Sequence, residues 1–195
     1  NGCQNSAQAI VNVIPYPTID SISDLVFCDG DITNTINFSG SPSSVDFSWT
    51  NSNTTIGLSN SSGTGSLPSF SATNLSNDII STLITVTPEA LGCNGIASSF
   101  EIFVNPTPEI INIIDEETLC PGLSTEVIWN TNLVNGLNVD YAWQEVYSGM
   151  NISGQTNSGN GNLPPMNLTN SGFSQDSIVY EVIPSYEGCQ GPPFI

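Results

Sequence analysis

Lysine, arginine and histidine are all missing from this chain of 195 residues, while aspartate and glutamate together number 18, giving a formal charge of −18. An average composition would supply roughly two dozen basic residues in this length. Without cations the chain cannot grip phosphate, which excludes nucleic-acid binding, and it has nothing to offer an anionic lipid surface. No basic side chain can close an internal salt bridge, so the carboxylates must be solvated, hydrogen-bonded or met by metal ions. Self-repulsion keeps copies soluble, and a trypsin-like protease finds no site. Lack of histidine removes Ser-His-Asp and Cys-His catalysis, and lack of lysine removes the phosphate loop. A zinc site would need histidine or C-x-x-C spacing, and neither occurs. There is no D-[ST]-G of an aspartic protease. A glycosidase needs one paired set of carboxylates, but Asp46 and Asp140 recur beside equivalent tryptophans, which reads as repeat structure. The chain is therefore not expected to be an enzyme. Long apolar runs are lacking too: none approaches the ~20 residues of a membrane helix, and no signal peptide is visible, so direct membrane insertion is not expected.

What is present can build cores. The chain is 38% hydrophobic, with eight Phe, five Tyr and three Trp, too many for a disordered segment. It also repeats. Cys3 and Cys93 are 90 residues apart (93 − 3), Cys93 and Cys189 are 96 apart (189 − 93), and Cys28 and Cys120 are 92 apart (120 − 28). "VDFSW" (45–49) returns as "VDYAW" (139–143), "SGTGSLPSFSATN" (62–74) as "SGNGNLPPMNLTN" (158–170), and "ITVTPEALGC" (84–93) as "YEVIPSYEGC" (180–189). A fixed period of this size marks tandem domains. The period divides the chain into residues 1–18, the tail of a preceding repeat; 19–108, a complete repeat; and 109–195, a second repeat lacking its last strand. The opening "NGC" without methionine fits a piece of a longer array.

Within each repeat the signals are β. "TLITVTP", "SFEIFVNP", "TEVIWN" and "VDFSWT" are short β-branched or aromatic runs, several alternating with period two. Gly, Asn, Ser and Pro clusters separate them, including the turn formers Asp29-Gly30, Asn94-Gly95 and Asn135-Gly136. No helical period persists. About seven strands in ~90 residues predict an all-β chain of immunoglobulin-like antiparallel sandwiches. Trp49 and Trp143 occupy matched core positions, and Trp129 is expected at a core edge. Repeats meet at "VIPYPTI" (13–19) and "VNPTPEI" (104–110), whose P-x-P spacing favours an extended path. The domains are thus expected end to end.

The cysteines suggest one staple per repeat, Cys28 with Cys93 and Cys120 with Cys189, leaving Cys3 to pair within a preceding repeat. Disulfides imply an oxidising compartment.

Together, "VDFSWTNSN…SGTGSLPSFSATN…ITVTPEALGCNG…FEIFVNPTPEI" resembles the PKD-like repeats of giant cell-surface proteins of gliding and adhesive Bacteroidetes. The shared features are a Cys-x-Gly opening (Cys28 to Gly30, Cys120 to Gly122), an aromatic-x-Trp strand, a "T-V-T-P…G-C-x-G" close and a "V-N-P-T-P" junction. The W-D-F-G-D-G turn of the broader PKD fold is absent, since Trp49 is followed by Thr50-Asn51-Ser52. The resemblance implies extracellular display at the cell surface after export across the outer membrane through type IX secretion. It also implies the role of an adhesin shaft, as in SprB-like gliding-motility adhesins. Implied partners are neighbouring repeats, the secretion and anchoring machinery, and surface polysaccharide.

Several residues are singled out beyond the staples. Asp20-Ser21-Ile22 and Asp176-Ser177-Ile178 resemble the D-[ST]-aliphatic acceptor of Bacteroidetes O-glycans, which nominates Ser21 and Ser177. Six N-x-[ST] triplets are what a chain this rich in Asn, Ser and Thr contains by chance. No cofactor is expected except Ca²⁺, for which Asp29 and Asp31 (with Asn34) and the run Asp115, Glu116, Glu117 are weak oxygen-rich candidates. The most divergent loops, 130–139 and 144–157, carry Tyr147 and Met150 as candidate partner contacts. Two functions follow: a shaft segment of a long secreted adhesin or filament, or a carbohydrate- or protein-binding accessory module.

Overall fold

A computed structural model describes residues 7–111, 117–120, 122–134 and 136–195. The described residues are all β apart from one turn of 3-10 helix, and they gather around two separate hydrophobic clusters.

The first cluster belongs to β1 (Thr18–Ile19) through β8 (Ser98–Asn105). Its main sheet has the order β2-β8-β6-β4-β5, formed by Leu25–Cys28, Ser98–Asn105, Ile80–Ala90, Asp46–Asn51 and Ser62–Thr64, with β7 (Cys93–Asn94) folded onto the end of β6. The long strand β6 buries Thr82, Ile84, Val86, Pro88 and Ala90, the period-two pattern of a sheet with one face on a core. The opposing layer is thinner. It consists of the short pair β1 with β3 (Gly40–Ser41) and the bridges Ile32 to Ser71 and Ile36 to Leu67. Trp49, Ile84, Val86, Phe100, Ile102 and Val104 from the sheet meet Ile56, Leu58, Leu67 and Ala72 between the layers. The pairs of the main sheet are antiparallel with one exception: β2 runs parallel to β8. A parallel pair needs a long crossover, and here nearly the whole unit intervenes.

The second cluster repeats this plan. Strands β9 (Asp140–Ser148), β11 (Ser158–Asn160), β13 (Ile178–Tyr186) and β14 (Cys189–Gln190) form a sheet in the order β11-β9-β13-β14. Beside it lies the pair of β10 (Ile152–Ser153) with β12 (Thr169–Asn170). Trp129, Trp143, Leu163, Met166 and Val182 are buried between them. Trp129, expected at a core edge, is a full member of the cluster and meets Phe194 edge-to-face. Phe194 bridges Val182, as Ser98 at the start of β8 pairs with Val86 in the first unit.

Identical local devices recur in both units. A Cβ at Gly63 would fall within the ring of Trp49, and one at Gly159 within the ring of Trp143. Each glycine therefore lets an indole lie flat across the neighbouring strand. Thr33 donates its hydroxyl to the Phe70 carbonyl (3.1 Å) and accepts from the Phe70 N–H (2.9 Å). Thr125 likewise donates to the Pro164 carbonyl (2.9 Å) and accepts from the Met166 N–H (3.0 Å).

The expected turn at Asn94-Gly95 lies elsewhere. Leu91 and Gly92, with φ of 51° and 79°, make the two-residue turn between β6 and β7, and Glu187 and Gly188 (47° and 85°) make its counterpart between β13 and β14. Positive φ at both central residues is the hairpin geometry that matches strand twist. Gly95 serves a different need: its α-carbon presses on the Pro17 carbonyl, where any side chain would collide.

Candidate functional site: the joint between the two cores

The staples expected within each repeat, Cys28–Cys93 and Cys120–Cys189, are not what forms. Cys28 is bonded to Cys189, with α-carbons 5.4 Å apart across a sequence separation of 161, and Cys93 and Cys120 are free and exposed. Strand geometry explains the difference. Cys28 ends β2 opposite Asn105, beside the start of β6, whose Ile80 pairs with Val104. Cys93 lies opposite Ala90 at the far end of β6. Ten residues of strand separate those positions, about 33 Å, whereas a disulfide needs α-carbons within about 7 Å. The two cysteines of one repeat thus sit at opposite ends of one sandwich. Cys189, at the corresponding far end of the second unit, abuts the near end of the first. Cys3 lies outside the described residues.

Around this bond the two units are clasped by hydrogen bonds that use no basic side chain. The Asp29 carboxylate accepts from the Asn74 N–H (2.7 Å) and from the Thr107 hydroxyl (3.4 Å) in the connecting segment. Asn132 of the second unit donates to the Thr107 carbonyl (3.4 Å) and to the Asn77 side-chain oxygen (3.2 Å), and accepts from the Glu109 N–H (2.8 Å). The Val134 N–H donates to the Asn77 carbonyl (3.0 Å). Amides and hydroxyls do here what lysine or arginine would do elsewhere. Pro106 and Pro108 of the connection are buried, and the α-carbon of Gly191 presses on the Pro108 carbonyl as Gly95 does on Pro17. Val26, Ile79, Phe103 and Asn105 of the first unit face Tyr186 and Glu187 of the second across one shallow cleft.

The other nominated residues are scattered. Asp31 closes the Cys28–Asp31 turn, accepting from the Cys28 N–H (2.8 Å), while Asp29 holds the clasp, so both nominated carboxylates have protein partners. Asp115 and Glu116 lie outside the described residues, and Glu117 is exposed, accepting from the Glu126 N–H (3.3 Å). Among the described residues no three Cys, Asp or Glu side chains gather around one point. Ser21 and Ser177 are exposed in the segments before β2 and β13. Tyr147 and Met150 are exposed near the end of β9. Asp46 and Asp140 stand exposed at the starts of β4 and β9, one in each unit. Burial raises the phenol pKa of Tyr141 against the opposing hydrogen bond to Thr131; burial and then the Glu145 charge raise that of Tyr180. Both rings lie in the second unit, outside the clasp.

Asn77, Thr107 and Asn132 carry the joint, yet nothing in their sequence context singled them out. Thr33 and Thr125 did leave a trace: each follows the opening cysteine of its repeat by five residues.

Residues 117–195 match the family model of the PKD-like domain. No curated protein matches the chain. Among solved structures, the crystal structure of DIP-gamma IG1+IG2 aligns over 92% of this chain and 94% of its own, at 12% identity and a TM-score of 0.42. The fold is PKD/Ig-like, with the family match over the second unit. The Cys28–Cys189 disulfide fits an oxidising, extracellular compartment. No helix among the described residues is long and apolar enough to cross a membrane.

Proposed function

We propose that this chain is a shaft segment of a long secreted adhesin or filament at the cell surface. In this reading it consists of PKD-like sandwiches (19–108 and 109–195) set end to end, with 1–18 closing an earlier one. Attachment, and gliding motility with type IX export as in the SprB-like adhesins it resembles, are the setting that its repeats suggest. Neighbouring repeats and the anchoring machinery would be its partners.

The observation that carries the reading is the Cys28–Cys189 bond. Pulled from its two ends, the chain transmits force across that bond and bypasses the residues between, which hold nearly all of both cores. Such a bypass is of use to a molecule that bears tension. A single-molecule pulling experiment between the termini tests it. Under oxidising conditions only the short flanks should extend. Reduction should release on the order of 500 Å more, from ~160 residues at up to ~3.5 Å each. Full extension before reduction would defeat the reading.

A second reading, an accessory module binding carbohydrate or protein, is favoured by the exposed Tyr147 and Met150. It predicts that Tyr147→Ala together with Met150→Ala removes binding to a cell-surface polysaccharide without altering extension under load.

A further inference from the structure

We infer that Cys93 and Cys120 are the two halves of the same joint repeated: the Cys93 face receives the Cys-x-Gly end of a further unit of this fold, and the Cys120 face receives the closing hairpin of another. The inference deepens the shaft reading and rests on it.

Three observations carry it. First, each free cysteine has a bonded counterpart at a turn of the same geometry. Cys93 and Cys189 both follow a two-residue turn with positive φ at both positions and precede a glycine packed on a proline carbonyl. Cys28 and Cys120 both open a turn closed by a 3.1 Å hydrogen bond three residues on, with Gly30 and Gly122 at φ near 90°. Second, Cys93 is uncovered where its counterpart Cys189 is buried, and large apolar side chains stand exposed near both free cysteine faces. Cys189 is 3% exposed, but Cys93 is open, and Leu91 and Ile96 beside it are more than four-fifths exposed. On the other face, Phe173 is wholly exposed. It follows Asn170 by three residues, as Asn77 follows Asn74, and Asn77 is where the second unit docks on the first. Third, the existing joint is heterologous. It sets the hairpin end of one unit on the Cys-x-Gly end of the other, so each chain is left with one face of each kind. Such an interface propagates head to tail, into an open filament wherever its rotation does not close a ring.

Bond formation joins the Cys93 and Cys120 sulfurs of neighbouring units. The two thiols lose two protons and two electrons to a small disulfide such as oxidised glutathione, which leaves as two thiols. Cys120 lies between Cys28 and Cys189 in sequence, so successive loops interleave. One broken bond would still leave the residues from 120 to 189 inside a second loop.

The occupant tested is a second copy of this chain. In a Cys3→Ser background, Cys93→Ser leaves Cys120 free and Cys120→Ser leaves Cys93 free. Each variant is incubated alone and in equal mixture in a glutathione redox buffer, then resolved without reductant and mapped by mass spectrometry. The mixture should give a Cys93–Cys120 dimer several-fold in excess of either symmetric dimer. Symmetric dimers of equal abundance, or no covalent dimer, would overturn the proposal. Both substitutions fall on exposed residues, and recovery of the Cys28–Cys189 peptide confirms that each variant has folded. The pulling experiment reads Cys28–Cys189 alone, so the shaft reading stands or falls separately.

Discussion

At the scale of single residues, the glycine under each core tryptophan is the sharpest constraint. Gly63 pairs with Trp49 across β5 and β4, and the indole occupies the space a Cβ would need. Gly63→Ala must push the Trp49 ring out of a packed core, a strain of about 1–3 kcal/mol. Gly65, two residues on, has open space at its Cβ position and a φ of 71°, so Gly65→Ala should cost only the left-handed penalty of about 1–2 kcal/mol. Chemical denaturation of the two variants checks the order, and loss of near-ultraviolet tryptophan signal should accompany only Gly63→Ala. In sequence the pair is visible as "W…SG" in both repeats, but nothing there says that the glycine lies on the ring.

Elements are tied together by the buried threonines. Thr33 lies beyond the Cys28 turn and grips Phe70 in the facing segment with both halves of its hydroxyl, linking the joint end of the sandwich to its thinner layer. Thr33→Val keeps the shape but strands the Phe70 N–H in the core, a loss of about 1–3 kcal/mol. Thr33→Ser keeps both bonds and should recover most of it. Hydrogen exchange at Phe70, slow in the parent and in the serine variant and fast in the valine variant, is the direct readout. Most strands were legible from alternation: β4, β6, β8, β9 and β13 fall on the aromatic and β-branched runs, whereas the similar run "TEVIWN" (125–130) forms no strand. The parallel pairing of β2 was not legible, because alternation reports which face is buried and is silent on the direction of the neighbour. The disulfides failed for a related reason. A shared period identifies equivalent cysteines, but two series with one period pair equally well within a repeat or across a joint. Only the length of β6 decides between them.

On the scale of the whole molecule, the bond and the charge act together. Closing a loop of 161 residues removes about 5 kcal/mol of unfolded-state entropy in the chain-entropy model. Because the loop embraces both cores, that constraint couples them. Against it stands a charge of −18 with no basic side chain. In most proteins added salt screens attractions and repulsions together, and the effects largely cancel. Here every side-chain charge is negative, so screening can only relieve repulsion. The Debye length falls from about 30 Å at 0.01 M salt to about 8 Å at 0.15 M, shorter than the span of one sandwich. Thermal stability should therefore rise steadily with NaCl across that range, by roughly 2–4 °C for each kcal/mol of repulsion removed. Calorimetry in NaCl and in CaCl2 at matched ionic strength checks this and weighs the nominated acidic residues at once. Equal melting temperatures mean that screening alone is at work. An additional rise in calcium that Asp31→Asn abolishes would assign an ion to the Cys28 turn, and a melting temperature that falls with NaCl would refute the repulsion argument.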